Sequence, residues 1–499
     1  VLSLYQVGTC SKDVEMTHHG SPHSVDQSMR PVFPLQLDRT AKTSLVEQIR
    51  HGIGAAIHSG VLRPGARLPS WQALASQLGV ARGTVREAYE RLADAQMIVS
   101  AGSAGTHVAA RPVKRRTEDA LLPDESDLLA MRRSPNGAAS IFQIGVPAPD
   151  AFPAKVIARL RTRAVREEAT VAPLYPETCG DVVLRREIAA HLAIARGMVC
   201  SVEQIIITSG FGAALGLIMH VLRAGRQTAW VEDPGFPYTR EALRIAGVNA
   251  VPVPVDREGI DVERGMRLAP WATLAIVTPG QQAPLGTTLT LSRRLQLIDW
   301  ASRSGAWIVE DDYLGELQLS GRAAPALASL DPEGRVIHVG SFSKTISPAL
   351  RLGFIVAPPP LVAAFTVAAH CLLPAPGPAV QRAAAAFMRE GHYLRHLRRM
   401  KRLYARRRDG LIAALDAKGF SGRQAGLSVL VDLPDSASDT AIVRAALASG
   451  MAPAPLSVWY ALPDNARPGL LLGVSTASSE RVEAACALLR QVVDTASRL

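Results

Sequence analysis

From Ile141 onward the chain alternates short apolar runs with stretches of helical period, and few architectures accommodate that alternation. The runs are Gln204–Thr208, Thr228–Val231, Leu274–Val277, Trp307–Glu310, Val336–His338 and Phe354–Val356. Strands this uniformly apolar are buried on both faces, and the helices between them supply the crossovers that parallel strands need. The expectation is an α/β unit with a mainly parallel sheet whose ligands collect at the carboxyl edge. After about Pro376 the pattern turns helical, with a long basic helix at His392–Leu415, and a smaller α/β segment runs to the end.

The 499 residues exceed one ordinary domain, and 48% hydrophobic content supplies large cores. Residues 1–38 are polar and read as a disordered extension; His18, His19 and His23 belong to it rather than to a metal site. Residues 39–109 have a different grammar. Leu45, Ile49, Ile53 and Ile57 recur at helical spacing after the capping residue Ser44, and Ser70 opens a second short helix, Trp71 to Leu78. The turn Gly79-Val80-Ala81 leads to a third helix, Arg82 to about Ala93. Met97–Val99 and Thr106–Val108 flank a small-residue turn and read as a β-hairpin. Residues 110–138 are rich in Arg, Pro, Asp and Glu without a period and read as a linker, leaving 139–499 as the large domain.

The net charge of +11 suggests a polyanionic partner, and between Arg50 and Arg116 bases clearly outnumber acids. Five scattered cysteines without ligand spacing argue for a reducing compartment and against disulfides or metal. No apolar run suits a bilayer and no secretory signal opens the chain, so a cytoplasmic protein without membrane contact is expected.

Two short helices joined by a tight turn place the N-terminal residues of the second against base edges in a major groove. Here those residues are Arg82, Gly83, Thr84 and Arg86, and the hairpin that follows is a natural wing. The other reading is a small helical bundle whose basic face meets proteins. Leu62–Pro64–Gly65, Arg67–Ser70, Leu74–Ala75, Leu78–Val80, Arg82, Thr84–Val85 and Ala88–Glu90 resemble the winged helix of the GntR superfamily. The resemblance implies contact with a double-stranded DNA operator from Arg67, Ser70, Gln72, Arg82, Gly83, Thr84 and Arg86. Ser103, Gly105 and Thr106 of the wing would add to it. Ala81 replaces the usual Ser or Thr cap, Gln72 a phosphate-binding Arg, and Ala104 a Ser or Gly.

Pyridoxal-phosphate (PLP) chemistry needs a lysine amine, a carboxylate for the pyridine nitrogen and donors for a phosphate. Lys344 alone among the lysines has a suitable setting, Gly340-Ser341-Phe342-Ser343-Lys344-Thr345 directly after an apolar run, with Arg351 seven residues on. Glu310-Asp311-Asp312-Tyr313 ends another run, and Thr208-Ser209-Gly210-Phe211-Gly212 joins a third to a helix whose free N–H groups suit an anion. With Phe152-Pro153, Arg196-Gly197, Glu232–Phe236, Leu350–Gly353 and the basic stretch His396–Arg408, these pieces resemble fold-type I aminotransferases, specifically the regulatory MocR family. The resemblance assigns Lys344 the internal aldimine, Asp311 the pyridine nitrogen, Tyr313 the phenolic oxygen, and Phe236 the ring face, though Phe236 also reads as an ordinary core aromatic. Gly210, Phe211, Gly212, Ser341, Ser343 and Arg351 would surround the phosphate, and Gln282 fits the pattern of a further cofactor contact.

Three departures bear on activity. Gly212 replaces a usual Gln, Ala283 replaces an Asn that touches the cofactor oxygen, and Leu470–Leu472 stand where an arginine commonly grips the substrate carboxylate. The resemblance implies a PLP-dependent regulator that senses a small amine or amino acid and works as a head-to-tail homodimer. Its rivals are an active aminotransferase with an accessory N-terminal domain, and a DNA-binding protein on an aminotransferase scaffold without cofactor.

Overall fold

A computed structural model describes residues 35, 37–41, 43–100, 102, 105–109, 139–172, 174–319, 321 and 323–496. They fall into two compact units, residues 1–124 and 125–499. The expected linker, and nearly all of the expected N-terminal extension, lie outside the described residues.

In the small unit, helix α1 (Leu45–His58) begins at Ser44, whose hydroxyl accepts from the Glu47 amide at 3.4 Å. Helix α2 (Trp71–Leu78) begins at Ser70, which accepts from Ala73 N at 3.1 Å, and stops at Gly79 in the left-handed region. Helix α3 (Arg82–Asp94) starts at Ala81 without any side-chain cap. Strands β1 (Ile98–Ser100) and β2 (Thr106–Val108) pair antiparallel, Ile98 opposite Val108. One apolar stripe per helix closes the core: Ile49 and Ile53 from α1, Leu74 from α2, Val85, Ala88 and Leu92 from α3. Tyr89 joins this core and donates its hydroxyl to Pro69 O at 2.8 Å; burial pushes its phenol far up.

The large unit is built on an eight-stranded sheet. Its strands are β3 (Ile205–Thr208), β4 (Thr228–Asp233), β5 (Asn249–Asp256), β6 (Gly259–Ile260), β7 (Leu274–Val277), β8 (Trp307–Asp312), β9 (Val336–Ser341) and β10 (Gly353–Val356). They lie in the order β3-β10-β9-β8-β7-β4-β5-β6. Strands β5, β4, β7, β8 and β9 run parallel, as the alternation predicts. Strand β10 runs against both its neighbours. The reason is length: residues 342–352 are too few for the crossover that a parallel return requires. Strands β5 and β6 form an antiparallel pair at the edge, and Pro252 and Pro254 hid β5 from the apolar-run criterion.

A second sheet, entirely antiparallel, has the order β11 (Gly422–Ala425), β12 (Ser428–Asp432), β14 (Gly469–Gly473), β13 (Ala454–Pro455). Side chains alternate across it. Val429, Val431, Leu470 and Leu472 pack into the main core with the helices, whereas Leu430 and Leu471, paired in register, face the other way. Ile141 and Phe142 are held beside this sheet, since Ala452 N, just before β13, donates to Ile141 O at 2.9 Å and Gly473 N of β14 to Phe142 O at 2.7 Å. The long helix His392–Asp416 buries Tyr393, Leu397, Met400, Tyr404 and Leu411 along one stripe. Among the described residues no helix is long and apolar enough to cross a membrane, and no cluster of His, Cys, Asp or Glu could hold a metal ion.

Candidate functional site

The carboxyl ends of β4, β7, β8 and β9 deliver the chemistry-bearing residues to one edge of the large sheet. Lys344 lies on the loop after β9, and its Nζ donates to Gly145 O at 2.6 Å across 199 residues of sequence. Gly145 has φ +77°, and a Cβ there would stand 3.2 Å from Nζ, so glycine suits both the backbone and the amine. The loop is held by Ser343 N donating to Ser341 Oγ at 3.2 Å, and by His396, whose ring bonds Thr345 O at 2.9 Å.

At the end of β8 three acids alternate between faces. Glu310 accepts from Leu327 N (2.6 Å) and Ala328 N (3.1 Å) and meets His338 Nδ1 at 2.9 Å. Burial would raise its carboxyl, but His338 and those amides outweigh burial and hold it below the usual range. Asp312 takes Arg196 Nε at 2.7 Å. Asp311 turns to the opposite face, toward Glu232 and Lys344. Burial, with repulsion from Asp312 and Glu232, drives its carboxyl well above the ordinary value, and Lys344 opposes the rise. Glu232, at the end of β4, is pushed up to about 7 by burial, although Thr278 donates to it from Oγ1 (2.5 Å) and N (3.1 Å). Two buried carboxylates with raised pKa make a place where a cationic ring nitrogen is welcome.

Tyr313 follows on the same edge, its phenol raised by burial beside Asp311 and Glu232. The Phe236 ring lies 5.2 Å from Tyr238, 5.8 Å from Trp459 and 6.5 Å from Phe211. Phe236, Glu232, Thr278 and Asp311 line one small cavity. Gly210, at φ +101°, caps the helix Phe211–Val221, so the amides of Phe211 and Gly212 lie in its unbonded first turn. The Arg351 guanidinium comes 4.0 Å from where a Gly210 Cβ would sit. Arg351 itself is left-handed, φ +47°, at the end of a short 3-10 turn. An anion between them would meet amides and a guanidinium together.

The structure treats Gln282 differently from its neighbours. Its amide donates to Pro234 O (2.7 Å) and Ala283 O (2.8 Å) and accepts from Leu285 N (3.0 Å), so it braces the loop and stands against Glu232. Ala283 and Leu471 both belong to one apolar cluster. Arg467 is exposed. Sequence reasoning missed Gly145, which lies too far from Lys344 in the chain to be linked to it by any spacing. It missed Glu232 as a site acid too, although this acid ends an apolar run just as Asp311 does.

On the small unit, Arg82, Gly83 and Arg86 are exposed at the start of α3, with Thr84 half-buried. Arg86 Nε lies 2.9 Å from Glu90. Ser70 and Gln72 are exposed at the start of α2. Arg67 lies on the wing, its Nε 3.1 Å from where a Gly105 Cβ would sit, and Leu68 N donates to Thr106 O at 2.8 Å. Ser103 lies outside the described residues. The α3 start and the wing thus carry several of the unit's exposed bases, with Arg39, Arg63 and Arg91 exposed elsewhere.

Residues 45–108 match the bacterial regulatory proteins of the gntR family, and residues 145–464 match aminotransferase class I and II. The probable rhizopine catabolism regulatory protein MocR of Rhizobium meliloti is 35% identical over 440 residues, spanning 85% of this chain and 88% of that protein. The chain belongs to the MocR family of GntR-type transcriptional regulators. Another MocR-like relative, the transcriptional regulator TauR of Rhodobacter capsulatus, is 34% identical and spans 78% of this chain and 83% of its own. The large unit of this MocR-family regulator is similar to a solved kynurenine aminotransferase from Pyrococcus horikoshii. The two are 25% identical with a TM-score of 0.68, over 76% of this chain and 96% of the enzyme. It is therefore a transcription regulator that joins a winged helix to an aminotransferase fold.

Proposed function

We propose that this regulator binds PLP at Lys344 and uses it to sense a small amine or amino acid, and that the sensed state alters how its winged helix binds an operator. The convergence of Lys344, Asp311 and the Gly210–Arg351 cradle on one sheet edge carries the reading. The residues fit the cofactor: a buried acid with raised pKa suits the pyridine nitrogen, and a glycine-lined helix start beside a guanidinium suits the phosphate. Bound there, PLP would supply an aldehyde that takes up amines and a ring that draws off electrons.

Lys344 would hold the aldehyde carbon until an incoming amine replaces it. Asp311 would keep a proton at the ring nitrogen. Tyr313 would donate to the phenolic oxygen, and Phe236 would cover one ring face. The amides of Gly210, Phe211 and Gly212, with Ser341, Ser343 and Arg351, would grip the phosphate. Gln282 would act by bracing Glu232 rather than by touching the ring. Arg82, Gly83, Thr84 and Arg86 would read the major groove, with Arg67, Ser70, Gln72, Ser103, Gly105 and Thr106 on the backbone. The same reading keeps residues 39–109 as the DNA module and 139–499 as the sensor, places the protein in the cytoplasm, and makes it a head-to-tail homodimer.

Visible absorbance of the purified protein with added PLP, beside a Lys344→Ala variant, tests the cofactor half. A band that requires Lys344 is the expected result. No band in either protein would leave a DNA-binding regulator on a cofactor-free scaffold.

A further inference from the structure

Between Gly391 and Arg408 the chain places many bases and no acid, and the long helix His392–Asp416 puts them to different uses. Arg407 is buried and reaches the Ser475 carbonyl and the Asp150 carboxylate, both at 2.5 Å. Arg408 meets Asp409 at 2.7 Å and donates to Gln424 Oε1 at 2.8 Å. Arg398, Arg399, Arg402 and Arg406 have no such role. All four are exposed, and among the described residues none makes an ion pair or a side-chain hydrogen bond. Arg398, Arg402 and Arg406 follow at four-residue spacing, and Arg399 lies three before Arg402, so they share one side of the helix and repel one another. The packing of the helix rests on the opposite stripe of Tyr393, Leu397, Met400, Tyr404 and Leu411. Like charges that weaken their own helix and support no contact of the fold point to a partner.

The basic ridge continues past the start of the helix. Arg395 Nη2 lies 3.1 Å from one nitrogen of the His392 ring, and Arg159 Nη2 lies 3.3 Å from the other. Arg159 and Arg163, on the helix Ala154–Glu168, meet Glu390 at 3.4 Å and 2.7 Å. Glu390 therefore stands among three arginines, and the surface from Arg159 to Arg406 keeps its positive sign.

We infer that this ridge, centred on Arg398, Arg399, Arg402 and Arg406, is a second surface for double-stranded DNA, which holds the phosphate backbone without reading bases. Residues 398–406 rise about 12 Å along the helix axis, comparable to three or four base steps of about 3.4 Å, so several phosphates come within reach at once. Guanidinium forks match phosphate oxygens in pairs. A bilayer surface also attracts arginine, but a helix lying in that surface buries its apolar face in lipid, and here the apolar face is already packed in the core. Duplex DNA is the polyanion that a chain with a GntR-type domain meets. The inference rests on that DNA binding, adds a contact outside the winged helix, and needs neither Lys344 nor an effector.

The test compares full-length wild type with a variant combining Arg398→Ala, Arg399→Ala, Arg402→Ala and Arg406→Ala, and with a second variant that has lysine at the same four positions. Anisotropy of a labelled random-sequence duplex of about 40 base pairs, across a potassium chloride series, gives the slope of log affinity against log salt. The alanine variant should bind more weakly, with a slope shallower by about 3 to 4, or roughly 0.9 for each phosphate contact removed. The lysine variant should keep most of the wild-type slope, since a point charge still releases counterions. A wild-type slope in the alanine variant overturns the inference and leaves DNA to the winged helix alone. Equal loss of slope in both variants also overturns it, because a damaged helix is then the cause. An alanine variant that binds duplex like wild type but no longer binds phosphatidylserine vesicles assigns the ridge to a membrane surface instead. Wild type that binds no duplex at all removes the winged-helix reading together with this one.

Discussion

Glu232 is a carboxylate raised to about 7 in the fold, whereas an unfolded glutamate titrates near ~4.3. Between those values the native state of the apo-protein holds a proton that the unfolded chain has lost. Stability from this group is therefore full below about pH 4.3 and is lost as pH rises to about 7, by about 4 kcal/mol in all. Urea denaturation of apo-protein at pH 5.5 and pH 7.5 should show wild type weaker at the higher pH. Glu232→Gln should show a smaller difference, and equal differences would remove Glu232 as the cause. Gly145 invites a second test at this scale. An alanine there must adopt φ +77° at a cost of about 1–2 kcal/mol and would crowd the Lys344 amine. Gly145→Ala should weaken PLP binding about tenfold or more, measured by titrating the visible band. Lys344, Asp311 and the Gly210 turn were legible because each ends an apolar run within a recognisable motif. Gly145, Glu232 and the bracing role of Gln282 were not, because each depends on contacts between distant segments.

The short helices of the small unit differ in one local respect. Ser70 caps α2 with a hydroxyl, and Ala81 leaves α3 without one. Ala81→Ser should stabilise the unit by about 1 kcal/mol, and Ser70→Ala should cost about the same. Thermal melts of the full chain followed at the small-unit transition would check both. A shift of the same sign for the two substitutions would contradict the capping argument. Elements with strong periods or caps, such as α1 to α3 and the inner strands β4, β7, β8 and β9, were readable from sequence. The direction of β10 was not, because an apolar run is silent about orientation; only the short connection of residues 342–352 decides it. Strand β5 carries Pro252 and Pro254 and exposed ends, and the edge strand β6 is only two residues long, so neither gives the signal that inner strands give.

For the whole molecule, the basic balance of the chain and the exposed bases of α3 predict a steep dependence of operator binding on salt. Arg82→Ala should weaken binding and lower the slope of log affinity against log salt by about 0.9 if Arg82 meets one phosphate. Anisotropy of a labelled operator duplex across a salt series measures it. An unchanged slope with weaker binding would place Arg82 on a base edge instead. The stretch 141–145 has a consequence of its own. Its carbonyls at Ile141 and Phe142 are fastened to the small sheet, and three residues later Gly145 receives the Lys344 amine. Once the amine lets go, one end of this tether is loose while the other stays anchored. Under the proposed function, a change of slack in it would reach residue 139, the near end of the chain segment that leads to the winged helix. In the proposed reading, the lysine that would hold the cofactor would also hold the near end of this tether.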